Sequence, residues 1–327
     1  MRFAIIICIF GTKIKTIINT QIMNRRQFIN RSAALLAAGS IVGQDIFAAT
    51  ATKLNKGRIG IQLYSVKDEL PKDFEGTLKK LSDTGYSLVE PYGFNGTKFF
   101  DRTMKELSVI VNDMGMSISG THCGARMLPE DTNAPEWDNW KAICSELKSG
   151  GGTWAILASL PGRAPTTLDD YKRICAQFNL MGKVCAQNEV KFAFHNHTEV
   201  FGKLEGEIIY DYMINNTDPK LVFFQMDLGH TVNAGADCLA YIRKYGNRIP
   251  LWHASDYDAS SRKSADDKSG QYVEVGKGSV PYKALFALPN TGGLENLTVE
   301  QETGGDIFAS CKEDFDFLKQ FKWTEVG

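Results

Sequence analysis

Eight short apolar segments recur along the chain after residue 57, and helical patterns lie between them. Each segment runs for five to eight residues with few polar interruptions, which is typical of strands that are covered on both faces of a sheet. The predicted strands are residues 58–64, 87–91, 116–122, 153–159, 190–197, 221–227, 249–255 and 296–302. Eight strands alternating with helices over about 250 residues is the pattern of a (β/α)8 barrel. The sequence therefore predicts an α/β fold, a TIM barrel in a single domain.

The segments between the strands have helical periodicity. The clearest helices are predicted at residues 74–83, 103–113, 137–148 and 168–188. Glycines such as Gly85 and Gly115 follow them closely, where a C-cap glycine belongs. An open doubly wound sheet is the competing architecture, but no G-x-G-x-x-G motif follows the first strand. The polar segment 257–278 is predicted to be irregular, and in a barrel it could form a lid.

Charge and hydropathy exclude two classes of protein. The chain has 327 residues, with 37 Lys and Arg against 38 Asp and Glu, so it lacks the basic surplus of nucleic-acid-binding proteins. It also lacks an apolar run of about 18 residues, which a transmembrane helix requires. We therefore expect no nucleic-acid partner and no stable membrane span in the mature form.

The N-terminal region predicts export. Residues 24–28 read NRRQF and residues 32–43 read SAALLAAGSIVG. A charged segment before a short apolar one is a secretory signal, and the paired Arg25 and Arg26 resemble the twin-arginine class. Cleavage after the A-x-A pattern at 49–51 would divide the chain into an extension with signal peptide, 1–51, and a barrel, 52–327. We expect Met23 to be the true start and the location to be periplasmic; a mobile amphipathic helix is the alternative.

All five histidines fall at, or just past, the C-terminal end of a predicted strand. They are His122, His195, His197, His230 and His253. In a TIM barrel these ends meet at one face, where active sites lie. A lone histidine is more often a hydrogen-bonded structural residue, but five on one rim favour a functional cluster.

Carboxylates accompany the histidines at this rim. They are Glu90 at the end of the second strand, Glu199 after the fifth, Asp227 ending the sixth, and Glu300 and Glu302 on the eighth. Imidazole nitrogens and carboxylate oxygens without thiolates suit Mn²⁺, Zn²⁺, Co²⁺ or Fe²⁺. The sequence therefore predicts a divalent metal site, and a ring of buried ion pairs without metal is the alternative.

Several motifs resemble the xylose isomerase-like TIM barrels, a group also called sugar phosphate isomerases/epimerases and related to the endonuclease IV fold. The motifs are GIQLYSV (60–66), FHNHTEVF (194–201), MDLGHTVNAG (226–235), WHASD (252–256), VGKGSVPY (275–282) and VEQE (299–302). They follow the family order over essentially the whole mature chain. The resemblance implies the barrel fold and a divalent metal site, and it says little about the substrate.

The resemblance also implies a role for individual residues. Asp227, His253 and Glu300 match the metal ligands that end strands six, seven and eight in the family. At strand five His195 stands where the epimerases carry a glutamate, so it is the implied fourth ligand, with Glu199 as the alternative. His230 matches a position that contacts substrate in sugar epimerases, and we expect His197 and Glu199 to bind substrate beside it. Ser255 is a further departure, because many relatives have a lysine there.

These departures bear on the reaction. The family's epimerases use the glutamates of strands five and eight as ligands and as an acid/base pair, and His195 replaces one of them. We therefore expect the base to be Glu300 or a group that is not a ligand, such as Glu90, His122 or His230.

The predicted function is a metal-dependent sugar isomerase or epimerase that removes a proton next to a carbonyl. Its partner would be a small, unphosphorylated carbohydrate. A lyase or hydrolase of 3-keto-glycosides on the same metal site is the first alternative, and a sugar-binding protein without turnover is the second. A nuclease is disfavoured, because that activity needs a D-x-H pair after strand seven and no histidine follows His253.

Overall fold

The computed structural model describes residues 58–94, 97–124, 126–261, 270–302 and 305–323. The predicted export signal, its cleavage site at 49–51 and the expected start at Met23 lie outside the described residues. Among the described helices, none is both long and apolar enough to cross a membrane.

Nine parallel segments make up eight strands of a nearly closed barrel, as the sequence predicts. The strands are β1 (Ile59–Gln62), β2 (Leu88–Glu90), β3 (Ser117–Ile118 and Gly120–Cys123), β4 (Trp154–Leu157), β5 (Lys191–His195), β6 (Val222–Asp227), β7 (Leu251–Ala254) and β8 (Asn296–Val299). Neighbours in this order pair in parallel, and β8 pairs with β1. The first segment of β3 pairs with β2 and the second with β4, with Ser119 between them. The architecture therefore places β2 opposite β6.

The last strand is shorter than the sequence predicts. β8 ends at Val299, so Glu300 and Glu302 follow the strand and do not lie on it. The backbone N–H of Glu300 still bonds to the carbonyl of Ala254 in β7, whereas that of Gln301 bonds to the hydroxyl of Ser65. Both glutamates nevertheless remain at the C-terminal face of the barrel.

Helices surround the barrel, and the four predicted ones agree with the structure to within one or two residues. They are α1 (Phe74–Thr84), α2 (Met104–Asp113), α3 (Asp138–Ser149), α4 (Leu168–Gln187), α5 (Ile209–Asn215), α6 (Leu228–Asn233), α7 (Cys238–Tyr245), α8 (Tyr282–Phe286) and α9 (Ile307–Leu318). Thr103 and Thr167 begin α2 and α4 with capping boxes, which satisfy the free N–H groups of a helix start. Gly85 ends α1 at a φ of 119°, a left-handed conformation that favours glycine.

The segment predicted to be irregular contains a short antiparallel hairpin. Asp256–Asp258 pairs with Gln271–Val273, so the prediction is wrong for these residues; residues 262–269 are not described. The buried carboxylate of Asp256 accepts backbone hydrogen bonds from Gly276 and Val280, both at 3.0 Å. These bonds tie the segment after the hairpin to its first strand, and the Tyr272 hydroxyl of the second strand donates to the backbone carbonyl of Glu300.

Candidate metal centre

The interior of the barrel changes from apolar to polar along the strands. A small separate buried apolar cluster consists of Trp154, Ile156, Ala193 and Leu251, of which Trp154 and Leu251 are the first residues of β4 and β7. Side chains on one face of a strand recur every second residue, so His195 shares a face with Ala193, and His253 with Leu251. The apolar residues thus form a floor, and the polar groups lie above it at the catalytic end of the fold.

Four polar side chains bring their ligand atoms within 4.8 Å of one another. They are His195, Asp227, His253 and Glu300, hereafter the four-residue cluster. Sequence reasoning proposed the same four residues as ligands. All four are buried, with at most 6% of each residue exposed. Glu199, the alternative fourth ligand, is exposed in the turn after β5 and is not part of this cluster.

His253 lies between two carboxylates. Its Nε2 is 2.8 Å from Oε1 of Glu90, and its Nδ1 is 2.9 Å from Oε2 of Glu300. Although burial alone lowers it, these two carboxylates raise the pKa of His253 to about 10. Without a metal ion the ring is therefore an imidazolium that donates a hydrogen bond on each side.

Among the described residues, His195 makes a side-chain hydrogen bond through Nδ1 only. Its Nδ1 is 3.0 Å from Oε1 of Gln225, and its Nε2 is 3.9 Å from Oε2 of Glu300. Burial, together with the nearby His253, lowers the pKa of His195 well below its ordinary value. The ring is therefore neutral, and because Gln225 Oε1 accepts from Nδ1–H, Nε2 presents its lone pair toward Glu300.

A buried carboxylate and two amides lie beneath these rings. Glu90 Oε1 accepts from Gln62 Nε2 at 2.9 Å, and Glu90 Oε2 accepts from Gln225 Nε2 at 2.9 Å. Burial raises the pKa of Glu90, but the charge of His253 and the hydrogen bonds that His122 and His253 donate outweigh it and hold the pKa well below the usual range. Glu90, expected as a possible base, is thus an ionised group that is only 2% exposed and fully engaged by N–H donors.

Asp227 is held at one of its oxygens by the elements around it. Its Oδ1 accepts hydrogen bonds from the backbone N–H of His230 and from the hydroxyl of Ser255, both at 2.6 Å. The first bond caps α6, and the second uses the residue that replaces the family's lysine. Among the described residues no hydrogen bond to Oδ2 of Asp227 is found, and Asp227 is one of the four residues whose ligand atoms could hold an ion.

The five histidine rings form one connected group, which confirms that they share a rim. Neighbouring ring centroids are between 4.7 and 5.0 Å apart. His122 stacks on His253, and its Nε2 lies 2.8 Å from Gln225 Oε1 and 3.0 Å from Glu90 Oε1. Both neighbours are acceptors, so Nε2 of His122 carries the proton and Nδ1 is the acceptor of that ring.

A cavity of about 320 Å³ opens on the cluster, near the lower end of the range for small-molecule sites. Its larger side chains are Tyr64, Tyr92, His122, His195, His197, Glu300 and Glu302. Burial and the neighbouring His230 lower the pKa of His197, so that ring is neutral too. Burial and the charge of Glu300 raise the pKa of Glu302.

Two of the residues expected to bind substrate lie outside this lining. His230 packs behind His197, with ring centroids 4.9 Å apart, and its Nδ1 is 3.1 Å from the Thr198 hydroxyl. Glu199 is exposed in the turn after β5. Tyr257 of the hairpin packs on His230, and the Tyr272 hydroxyl donates to the backbone carbonyl of Glu300.

Sequence reasoning missed two glutamines of this site. Gln225 is 1% exposed and Gln62 is not exposed at all, which is unusual for an uncharged polar side chain on a strand. The signal was present for Gln225, because it lies two residues before Asp227 and so on the same face of β6. Such a buried amide must find hydrogen-bond partners inside the barrel.

Known proteins resemble this chain in sequence and in fold. The family model of the xylose isomerase-like TIM barrel matches residues 78–321. An inosose dehydratase of Clostridium tetani is 29% identical over 153 residues, which is 45% of this chain and 49% of that protein, so the match spans about half of the relative. An inosose dehydratase of Geobacillus kaustophilus is 22% identical over 290 residues, 80% of this chain and 89% of the relative. A solved sugar phosphate isomerase/epimerase from Parabacteroides distasonis has a TM-score of 0.70 and 26% identity, covering 80% of this chain and 97% of that one.

Proposed function

Because this chain belongs to the xylose isomerase-like TIM barrel family, we propose that its four-residue cluster holds a divalent metal ion and that it is a lyase acting on a polyhydroxylated ketone. In this reaction a base removes the proton on the carbon beside the ketone. The electron pair of that C–H bond forms a C=C bond, the C–O bond on the next carbon breaks, and the leaving oxygen takes up a proton. The leaving group is either water or an alcohol.

The observation that carries the metal site is the orientation of its two histidines. His195 donates Nδ1–H to an amide oxygen, and His253 donates Nε2–H to a carboxylate. In each ring the other nitrogen faces Glu300. Metal-binding histidines almost always donate their second N–H in this way. Two imidazole nitrogens and two carboxylates are a donor set that suits Mn²⁺, Zn²⁺, Co²⁺ or Fe²⁺.

When bound, such an ion would polarise the ketone oxygen and stabilise the negative charge that develops as the neighbouring proton leaves. The residues of the chain then have to orient the substrate and move that proton. His122 suits the second task because it lines the cavity and its Nε2–H is held by Gln225 and Glu90. A proton accepted at Nδ1 makes the ring positive, and the carboxylate of Glu90 stabilises that charge. Glu90 itself then positions the base and does not touch substrate.

His197 and the two tyrosines suit binding of the substrate. The neutral ring of His197 lines the cavity and offers a donor and an acceptor to hydroxyl groups. Tyr64 and Tyr92 pack edge to face, with centroids 5.1 Å apart, on the same wall. An aromatic wall covers the C–H face of a sugar or cyclitol ring while the hydroxyls face polar groups.

Elimination is favoured over epimerisation by His195. An epimerase returns a proton to the opposite face of a carbon, so it benefits from acid/base groups on two sides of the substrate. His195 replaces the carboxylate of one side, and its Nδ1 proton is engaged by Gln225. The inosose dehydratases that this chain resembles are named for the loss of water, which also supports a lyase. Sequence reasoning ranked these two reactions in the opposite order.

A sugar epimerase is the second candidate, supported by the name of the Parabacteroides distasonis relative. The two reactions differ in the product formed in D₂O. We would load the purified protein with Mn²⁺, Co²⁺ or Zn²⁺ and offer an inosose, a 3-keto-glycoside and a free ketohexose. A lyase forms an unsaturated product and releases water or alcohol, whereas an epimerase forms a deuterated epimer with no fragment.

The same assay can overturn the proposal. Deuterated epimer alone would replace the lyase with an epimerase. Full turnover by protein stripped with a chelator would remove the metal from the mechanism. Stoichiometric metal without turnover of any of the three classes would favour the sugar-binding alternative.

A further inference from the structure

We infer that Glu90 and Gln225 act as one positioning pair, whose mutual hydrogen bond keeps an oxygen turned toward each ligand histidine and so fixes which histidine nitrogens face the metal position. The inference rests on the proposed metal site, but part of its test needs no metal. It assigns roles to two residues that neither bind the ion nor touch the substrate.

The pair spans the inside of the barrel. Glu90 ends β2, Gln225 lies near the end of β6 on the opposite side, and Gln225 Nε2 donates to Glu90 Oε2 at 2.9 Å. The two residues are 2% and 1% exposed, so solvent cannot replace a lost partner. A buried hydrogen-bond donor or acceptor without a partner lowers the stability of the folded protein.

The polarity of this one bond sets the direction of the others. The carboxylate of Glu90 can only accept, so the Gln225 amide must turn its NH₂ group toward Glu90 and its oxygen toward His122 and His195. With that oxygen as acceptor, His195 must carry its proton on Nδ1. Its Nε2 is then left toward Glu300.

Glu90 acts in the same way on the second ligand histidine. Its Oε1 accepts from Nε2 of His253 at 2.8 Å, which leaves Nδ1 as the nitrogen that can face an ion. One carboxylate and one amide therefore orient both ligand histidines. A buried pair with a purely structural role would need partners, but it would not need to present oxygens to the two ligand histidines.

The polarity can be reversed without changing the charge or the shape of the pair. In the double variant Glu90→Gln/Gln225→Glu, residue 90 donates to residue 225, while the oxygens that face the histidines remain oxygens. Glu90→Gln alone places an NH₂ group either against the NH₂ group of Gln225 or against the N–H donors of Gln62 and His253. Gln225→Glu alone sets two carboxylates against each other. The double variant should therefore restore the metal affinity that each single variant loses.

Gln62 provides a matched control. Its amide also donates to Glu90 Oε1 at 2.9 Å, and it is equally buried, but it bonds to no ligand histidine. Gln62→Met and Gln225→Met each remove one buried amide from the same carboxylate. We expect both to lower the thermal unfolding temperature, and only Gln225→Met to weaken metal binding.

The first measurement is the affinity for Zn²⁺ and Mn²⁺ by calorimetry, with circular dichroism to check folding. Loss of a partner of this kind costs about 10- to 100-fold in metal affinity. We expect such a loss in each single variant and in Gln225→Met, with the double variant returning to within about threefold of wild type. A double variant as weak as its single parents, or a Gln62→Met protein as weak as Gln225→Met, would overturn the inference.

The second measurement determines which ring nitrogen of each histidine carries the proton in metal-free protein, by nitrogen NMR of labelled histidines. We expect His195 to be protonated at Nδ1 in wild type and to lose this preference in Gln225→Met. Protonation at Nε2 in wild type would overturn the inference. If wild type has the expected tautomer but binds no metal, the proposed function fails while the positioning role stands.

Discussion

Glu90 accepts a hydrogen bond of 2.8 Å from Nε2 of His253, a residue 163 positions further along the chain. The other nitrogen of the same ring faces Glu300 at 2.9 Å. Without metal, the positive ring joins two carboxylates, so these residues also form the ring of buried ion pairs that was the alternative to a metal site. The two interpretations are compatible, because a metal ion would take the place of the proton on Nδ1.

Metal affinity should therefore depend on pH. The pKa of His253 is raised to about 10, so the ring carries a proton on Nδ1 at neutral pH that binding must displace. Raising the pH removes this competition, and we expect the dissociation constant to fall about tenfold per pH unit between pH 6 and 9. Calorimetry in buffers of different ionisation enthalpy should count about one proton released per ion. An affinity that does not change with pH would contradict this assignment.

Removal of a ligand should strip the metal and leave the barrel folded. Asp227→Ala or His253→Ala deletes one of four donors, and we expect turnover to fall by more than about 100-fold because charge stabilisation is lost. Metal content by mass spectrometry and far-ultraviolet circular dichroism measure the two effects. Glu199→Ala is the matched control, since that carboxylate is exposed and outside the cluster. Metal loss from Glu199→Ala with metal retained in Asp227→Ala would reverse the ligand assignment.

The strands could be predicted because their physical cause is local. Buried parallel strands need near-continuous apolar runs, and the glycines and caps that end and begin the helices are read within a few residues. The shared rim of the histidines follows from the fold once the strand ends are known. His195 and His253 could thus be placed together without any contact being visible in the sequence.

The remaining features depend on partners far apart in sequence. Gln225 bonds to Glu90 across the barrel, and no local pattern specifies that contact. Glu90 was a candidate base because its position on the rim was known, but its burial under His253 was not. The chain around the hairpin at 256–258 and 271–273 is tied together by long-range backbone bonds to Asp256. The polar composition of this segment predicts only an irregular loop.

We also propose that the chain is exported by a twin-arginine signal, which residues 24–43 motivate. Replacing Arg25 and Arg26 by lysine keeps the charge but removes the paired guanidinium groups. We expect an unprocessed precursor to accumulate in the cytoplasm, with wild type processed in the periplasm. Fractionation and N-terminal sequencing measure this. Equal export of both proteins would exclude the twin-arginine signal.

His195→Glu tests the choice between elimination and epimerisation. A glutamate at this position restores the carboxylate that the family's epimerases carry, so a divalent ion should still bind. The new carboxylate cannot donate to Gln225 Oε1 as Nδ1–H of His195 does at 3.0 Å, and we expect affinity to fall by about tenfold. The new glutamate does add an acid/base group on the second side of the substrate.

We therefore expect His195→Glu to show slower elimination from a keto-glycoside or inosose and to form new deuterium-labelled epimer from a free ketose. His195→Gln is the control, because it supplies a metal ligand oxygen without an acid/base group and should yield no epimer. A wild-type protein that already epimerises free ketoses efficiently and leaves the other substrates intact would refute the lyase.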